Sequence, residues 1–419
     1  MMNEKSAMEC LSGLGGLPTF VNDTPLLFLE APLVIEDILK ASLIAGINVL
    51  LLGERGSGKT QLMTDVANAW FGGNAIHIRV RADMDLREVY TRFDLSKMHL
   101  ELTKTLSSPL CLIDELNRAP GIVQNQLFHL LDGYVEFEGE KIFLGQEGYH
   151  VCLGTMNVGE RYLGTFGIDP ALLDRFGVVI DMESFPPGPI EKLRALSAPQ
   201  ARVLESRKVD GTQTFLLMHR QLKSMRPRRL FDLALLYIES CLGYCFPERS
   251  QGTSRKVAVL GGIPRLCEGC NRLGFGCGYL KPASIRLLKN LSALAPALAM
   301  VASSKAKKPL KAPGAHEAFE LFRFLAPFSD LVNPEYVRSH HHGNPRPFLN
   351  EVTNWLQRRF FTMEGPLKEA LSLARKGRLS GVKRSSLLEP FRDEWGFALD
   401  LIEKGGALLK DDSLMEEWT

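Results

Sequence analysis

Long apolar runs are missing from this chain. No stretch reaches the roughly 18 uninterrupted apolar residues that a membrane-spanning helix needs, so no span is expected. SLIAGINVLLL is too short and runs directly into a glycine-rich loop. The opening MMNEKSAMEC lacks a basic segment followed by a long apolar stretch, so no secretory leader is expected there. Excess charge is missing too. The 50 Lys and Arg against 48 Asp and Glu leave +2, which selects for neither nucleic acid nor a membrane surface. No internal repeat is visible. These absences leave a cytoplasmic globular protein as the expectation, in which the 8 cysteines serve as thiols or metal ligands rather than disulfides. A length of 419 residues allows two or three domains.

What the chain does have is GERGSGKT, Gly53 to Thr60, which fits the phosphate-binding pattern G-x-x-x-x-G-K-[ST]. The apolar run NVLLL enters it as a buried strand, and QLMTDVANAW leaves it as a helix from Gln61. Gly53, Gly56 and Gly58 permit a nest of backbone N–H groups, with Glu54, Arg55 and Ser57 between them. The helix N-terminus adds partial positive charge. Lys59 is placed to reach the β- and γ-phosphates of ATP, and Thr60 to ligate Mg2+. A chance glycine-rich turn is the bland alternative, and the flanking strand and helix argue against it.

Around this loop the chain reads as an α/β domain. Ala31 to Ala45 has helical spacing, and AIHIRV from Ala75 alternates as a strand. DLREVYTRFDLSKMHLELTKTL carries a helical pattern broken around Phe93. In PLCLIDELNRAP, Leu110 to Ile113 form a buried strand with Asp114 and Glu115 at its C-terminal end, where open α/β sheets bind ligands. Asp114 is expected to hold Mg2+ and Glu115 to polarise the attacking water. Val123 to Leu131 reads as an amphipathic helix, and YVEFEGEKIFLG as a hairpin turning at Glu138-Gly139. HVCLGTMN is a further strand ending in Asn157, and GVVIDM a fifth, with Arg175 just before it.

GERGSGKT, LIDELNRAP, GTMN and DPALLDRF, in this order, resemble the AAA+ ATPases of the MoxR-like and dynein-related branch. The likeness is strong over about residues 30–185. It implies a P-loop AAA+ core with a five-stranded parallel sheet, then an all-α lid and a C-terminal helical module. It further implies six-membered rings with ATP at the seams between subunits. By the same resemblance Asn157 takes the sensor-1 position and Arg175 the arginine finger that acts on a neighbour's nucleotide. The hairpin at 134–145 and the segment 84–104 match two insertions of the branch that tend to face the ring's pore or top, which makes them candidates for touching a client, and Arg118 is typical of the branch. The expected layout is a lead-in over 1–29, the core over 30–188, a helical lid with a Cys-rich insertion over 189–302, a linker over 303–315 and the helical module over 316–419.

In the lid, a sensor-2 arginine is expected from either of two places. Arg226, Arg228 and Arg229 precede one helix, and Arg286 lies in the first turn of another. The family's helix start favours Arg286, and a solvated basic helix start is the bland reading of the other cluster. Cys241, Cys245, Cys267, Cys270 and Cys277 put five thiols within 37 positions in a glycine-rich context, which invites a structural Zn2+. Buried core thiols and an Fe–S cluster are the alternatives. His340, His341 and His342 read as a solvated turn.

The leading functional reading is a Mg2+-dependent ATPase that remodels or activates a protein client. The resemblance implies a von Willebrand A-domain protein as partner. A nucleic-acid motor and a nucleotide-gated scaffold are the competing readings. Near-zero net charge weighs against the first, and the full set of motif residues against the second.

Overall fold

The computed structural model describes residues 26–376 apart from 97, 158–165, 186–187, 198–207, 246–255, 258–264, 267–279 and 282, together with 11, 13, 14, 16, 17, 378 and 380. The chain divides into two compact units: Met1–Arg226 with Pro296–Lys311, and Pro227–Ala295 with Ala312–Thr419.

The first unit opens on a hairpin, β1 (Leu26–Phe28) and β2 (Ala31–Leu33). The helical spacing from Ala31 therefore starts late: Pro32 lies in a strand, and the helix α1 covers Ile35–Ala45. Asp37 fixes its start by accepting the Val34 N–H at 2.9 Å, which satisfies one of the N–H groups a helix leaves unpaired. Then come β3 (Val49–Gly53), α2 (Lys59–Phe71) and β4 (Ala75–Arg79). The segment after β4 corrects the helical expectation. Its described helical pieces are the short α3 (Arg87–Tyr90) and a 3-10 turn at Lys104–Ser107, and between them β5 (Thr91–Asp94) pairs antiparallel with β6 (His99–Leu102). Phe93, Leu95, Met98 and Leu100 of this hairpin are all exposed.

After β7 (Leu110–Asp114) come α4 (Gly121–Leu131), the hairpin β8 (Tyr134–Phe137) and β9 (Glu140–Phe143), and β10 (Val151–Asn157). Glu138 and Gly139, both at positive φ, make the tight turn that matches strand twist. A short α5 (Pro170–Leu173) leads into β11 (Val178–Asp181). The five central strands run parallel in the order β11-β3-β10-β7-β4. Their apolar runs are buried, as strands covered on both faces must be. The helical region begins with α6 (Pro189–Ser197) and α7 (Thr212–Leu222). Phe215 of α7 stacks on Phe71 at 4.9 Å and meets Trp70 at 5.9 Å, tying α7 back to the P-loop helix.

The second unit is mainly helical, and against the all-α expectation it also carries three two-residue strands, Tyr244–Cys245, Lys256–Val257 and Arg265–Leu266, paired in one small sheet. It holds α8 (Arg229–Gly243), the first half of α9 (Ile285–Ala306), α10 (Ala315–Leu325), α11 (Pro334–His340) and α12 (Arg346–Arg375). Tyr237, Phe319 and Phe360 pack edge to face between α8, α10 and α12. The division inside α9 falls at Pro296, which has no N–H for the Ser292 carbonyl. Among the described residues α9 is the one helix long and apolar enough to cross a membrane by length and composition, and 61% of that stretch is buried in the protein. It runs to Ala306, so residues 303–306 are helical and Ser303 is buried.

Candidate active site

The P-loop takes its shape from three glycines at positive φ: Gly53 at 156°, Gly56 at 82° and Gly58 at 83°. A side chain at 53 would press on Ser57 Oγ at 2.9 Å and Met182 Cβ at 3.0 Å. Gly58 caps α2, so the free N–H groups of the first helical turn open towards the loop. Ser57 Oγ donates to the Glu54 carbonyl at 2.8 Å and closes the loop on itself. Lys59 is buried. Its Nζ donates to the carbonyls of Gly53 and Glu54 at 2.8 and 2.7 Å. Burial pushes its ammonium below its usual range, against the pull of Asp114, Glu183 and Glu54. Gln61 points away from the loop and donates to Asp65 at 3.0 Å. Arg55 is exposed on the loop.

Parallel pairing brings the other groups to the same end of the sheet. Asn157 lies opposite Gly53 in the β10–β3 register, and Asp114 opposite Arg79 in the β7–β4 register. Thr60 Oγ1 donates to Asp114 Oδ1 at 3.2 Å. A hydroxyl and a carboxylate that converge in this way are the hard oxygen donors Mg2+ takes, so Thr60 and Asp114 fit that ion.

Two further residues hold this end in place. Thr155 is buried, donates to Asp114 Oδ1 at 2.5 Å and accepts the Glu115 N–H at 3.0 Å. It sits two residues before Asn157, on the same face of β10. That alternation is the only sequence signal it offers. Arg118 is the second, with Nη2 3.0 Å from Glu115 Oε1, while Arg79 Nε lies 3.5 Å from Glu115 Oε2. Glu115 itself has φ of 60°, a left-handed backbone that costs a non-glycine residue strain and aims its side chain off the strand end.

Arg175 lies at the other end of the sheet. Its carbonyl accepts from Asn48 Nδ2 at 3.2 Å, and Asn48 immediately precedes β3. Five residues of strand then separate that point from Gly53, about 16 Å at ~3.3 Å per residue. Its side chain is fixed there by Asp132 at 2.9 Å, by the Ala171 carbonyl at 2.9 Å and by the Phe128 ring at 4.4 Å.

Arg226 closes the first segment of the first unit, whereas Arg228, Arg229 and Arg286 belong to the second. Arg228 donates its N–H to the Pro313 carbonyl at 2.9 Å, and Arg286 sits in the first turn of α9. Cys241 is buried on α8 and Cys245 ends a two-residue strand. Cys267, Cys270 and Cys277 lie outside the described residues, and so does any zinc site that includes them.

Residues 48–176 match the model of the AAA domain, dynein-related subfamily. No curated protein matches the sequence. Among solved structures the chain is similar to a candidate ATPase from Cytophaga hutchinsonii, with a TM-score of 0.56 and 16% identity, covering 76% of this chain and 87% of that one. At that identity the likeness speaks for the fold.

Proposed function

Residues 48–176 are an AAA domain of the dynein-related subfamily, and on that premise we propose that the chain hydrolyses ATP at the seams of a ring and uses the cycle to remodel or activate a protein client. The observation that carries the reading is the position of Arg175. It is held about 16 Å from its own P-loop, by the strand rise across β3, further than an arginine side chain reaches. A role on the γ-phosphate is then open to it only on a neighbour's nucleotide. Arginine supplied in this way stabilises transition-state charge and is worth about 10³–10⁵ in rate.

At the chain's own P-loop, the nest of Gly53–Gly58 and the start of α2 bind the phosphates, and Lys59 turns from the loop carbonyls to the phosphate oxygens. Thr60 and Asp114 would hold Mg2+, which neutralises phosphate charge when bound. Glu115 releases Arg118 and accepts a proton from the attacking water, while Asn157 orients that water. The exposed apolar hairpin β5–β6 and the β8–β9 hairpin, with Phe143 exposed, suit contact with a client protein. A hexameric assembly, a von Willebrand A-domain partner and a sensor-2 role for Arg286 follow from the resemblance and belong to the same proposal, together with the cytoplasmic action expected from the sequence.

The test mixes two inactive variants. Glu115→Gln should bind ATP and barely turn it over, and Arg175→Ala should assemble and fail to hydrolyse. Mixed rings contain seams with an intact Glu115 and an intact Arg175, so activity should return on mixing. Mixed assemblies that form and stay inert would overturn the trans arrangement. A monomer that hydrolyses ATP at every concentration would do the same.

A further inference from the structure

Two cysteines and a histidine that no motif singled out meet at the N-terminal ends of β7 and β10, at the end of the sheet away from Asp114 and Asn157. Cys111 and Cys152 are direct partners in the β7–β10 register and are fully buried. Because alternate residues of a strand face opposite ways, both thiols leave the sheet on one face, while Leu110, Leu112, Val151 and Leu153 leave it on the other. His150 immediately precedes β10, and its Nε2 lies 3.5 Å from Cys152 Sγ. The Leu130 carbonyl at the end of α4 lies 3.6 Å from the same sulfur. The three ligand atoms of Cys111, His150 and Cys152 all lie within 4.8 Å of one another.

We propose that Cys111, His150 and Cys152 form a structural zinc site, with the Leu130 carbonyl as the fourth donor. Tetrahedral zinc with Zn–S near 2.3 Å and Zn–N or Zn–O near 2.0–2.1 Å places sulfur about 3.6 Å from nitrogen or oxygen, and sulfur about 3.8 Å from sulfur. The observed 3.5 and 3.6 Å separations already have that spacing. Charge selects the ion. Binding displaces one proton from each thiol to solvent, and two thiolates with Zn2+ sum to zero, which a buried site tolerates. Cu+ in the same place leaves a net buried negative charge. Structural zinc is four-coordinate and closed, so the Leu130 carbonyl, which also accepts the Gly133 N–H at 3.0 Å, completes the three side-chain ligands through its second lone pair. Zinc here would join the two central strands and the end of α4 through one ion.

The full chain, purified reduced and stripped of metal, is titrated with Co2+ and then with Zn2+. Cys111→Ser/Cys152→Ser should bind one metal equivalent fewer than wild type and lose the thiolate-to-cobalt absorption of two sulfurs. Equal stoichiometry and spectra in the two folded proteins would overturn the site. If the double variant does not fold, the chain with Cys245, Cys267, Cys270 and Cys277 all changed to serine decides the matter. It should keep one zinc whose X-ray absorption reports two sulfur neighbours and an imidazole nitrogen. No bound zinc in that chain would refute the assignment.

Discussion

Replacing Thr155 by valine tests how the catalytic end of the sheet is held. The substitution keeps the shape of the side chain and removes a hydroxyl that donates to Asp114 and accepts the Glu115 N–H. A hydrogen bond to a carboxylate contributes about 1.5–3 kcal/mol, and a half-buried amide left unpaired costs about 1–3 kcal/mol. The added methyl returns about 0.8 kcal/mol of burial. Asp114 is partly exposed and recovers some hydration, so the net loss should fall at the low end, about 2 kcal/mol. Urea unfolding of the variant, wild type and Thr155→Ser measures it, with the serine variant close to wild type. On the proposed chemistry, Asp114 and Glu115 lose their common anchor, so kcat should drop about 10–100-fold, or ~1.4–2.7 kcal/mol of barrier, with a smaller change in KM for ATP. Stability within about 0.5 kcal/mol of wild type together with an unchanged kcat would show that Thr155 positions nothing.

Three further outcomes are expected. Gly154→Ala places a methyl 3.0 Å from the Phe176 ring and 3.2 Å from Leu50 Cδ1, and overpacking of this kind should cost about 1–3 kcal/mol in the same unfolding assay. Arg175→Ala breaks the Asp132 pair and the Phe128 contact, which at this partly exposed position should cost no more than about 1–2 kcal/mol, while ATP turnover of the assembled protein falls by at least about 10³. Burial holds His219 below its ordinary value near 6.5, against the pull of the Ile44 carbonyl, so the unfolded chain takes up its proton first. Stability from this residue is therefore present above about pH 6.5 and lost as pH falls towards the depressed value, and unfolding midpoints of His219→Gln should fall less steeply over that window than those of wild type.

What was legible in the sequence was what is local. Gly53, Gly56 and Gly58 announce a loop needing positive φ, and all three adopt it. Leu110–Ile113 and Val151–Leu153 are continuous apolar runs because parallel strands are buried on both faces. Glu138-Gly139 names its own turn. The hairpin at 91–102 was not legible. Both its faces reach solvent, so Phe93 and Leu100 are exposed beside polar neighbours and no period-2 contrast marks the strands. Thr155 was not legible either. Its partners lie 40 and 41 residues away and become neighbours only through the β7–β10 register. The same register brings Cys111 to Cys152, whereas the glycine-rich Cys267–Cys277 loop drew attention by spacing alone.

One short stretch connects these features. The end of α4 supplies, within five residues, the Phe128 ring and the Asp132 carboxylate that fix Arg175, the Leu130 carbonyl beside Cys152, and the Leu131 carbonyl that accepts from Asn48. Asn48 also binds the Arg175 carbonyl and the Cys152 N–H, so a single side chain spans the starts of β3, β10 and β11. A packed junction of this kind moves as a body, because its members cannot shift singly without breaking buried hydrogen bonds. Arg175 is therefore aimed by the strands that carry Gly53 and Asn157 at their far ends. Were nucleotide to displace those strands, the shift would reach Arg175 through the sheet rather than through a loop. On the proposed chemistry, that gives one subunit's site a direct mechanical handle on the arginine it offers to the next.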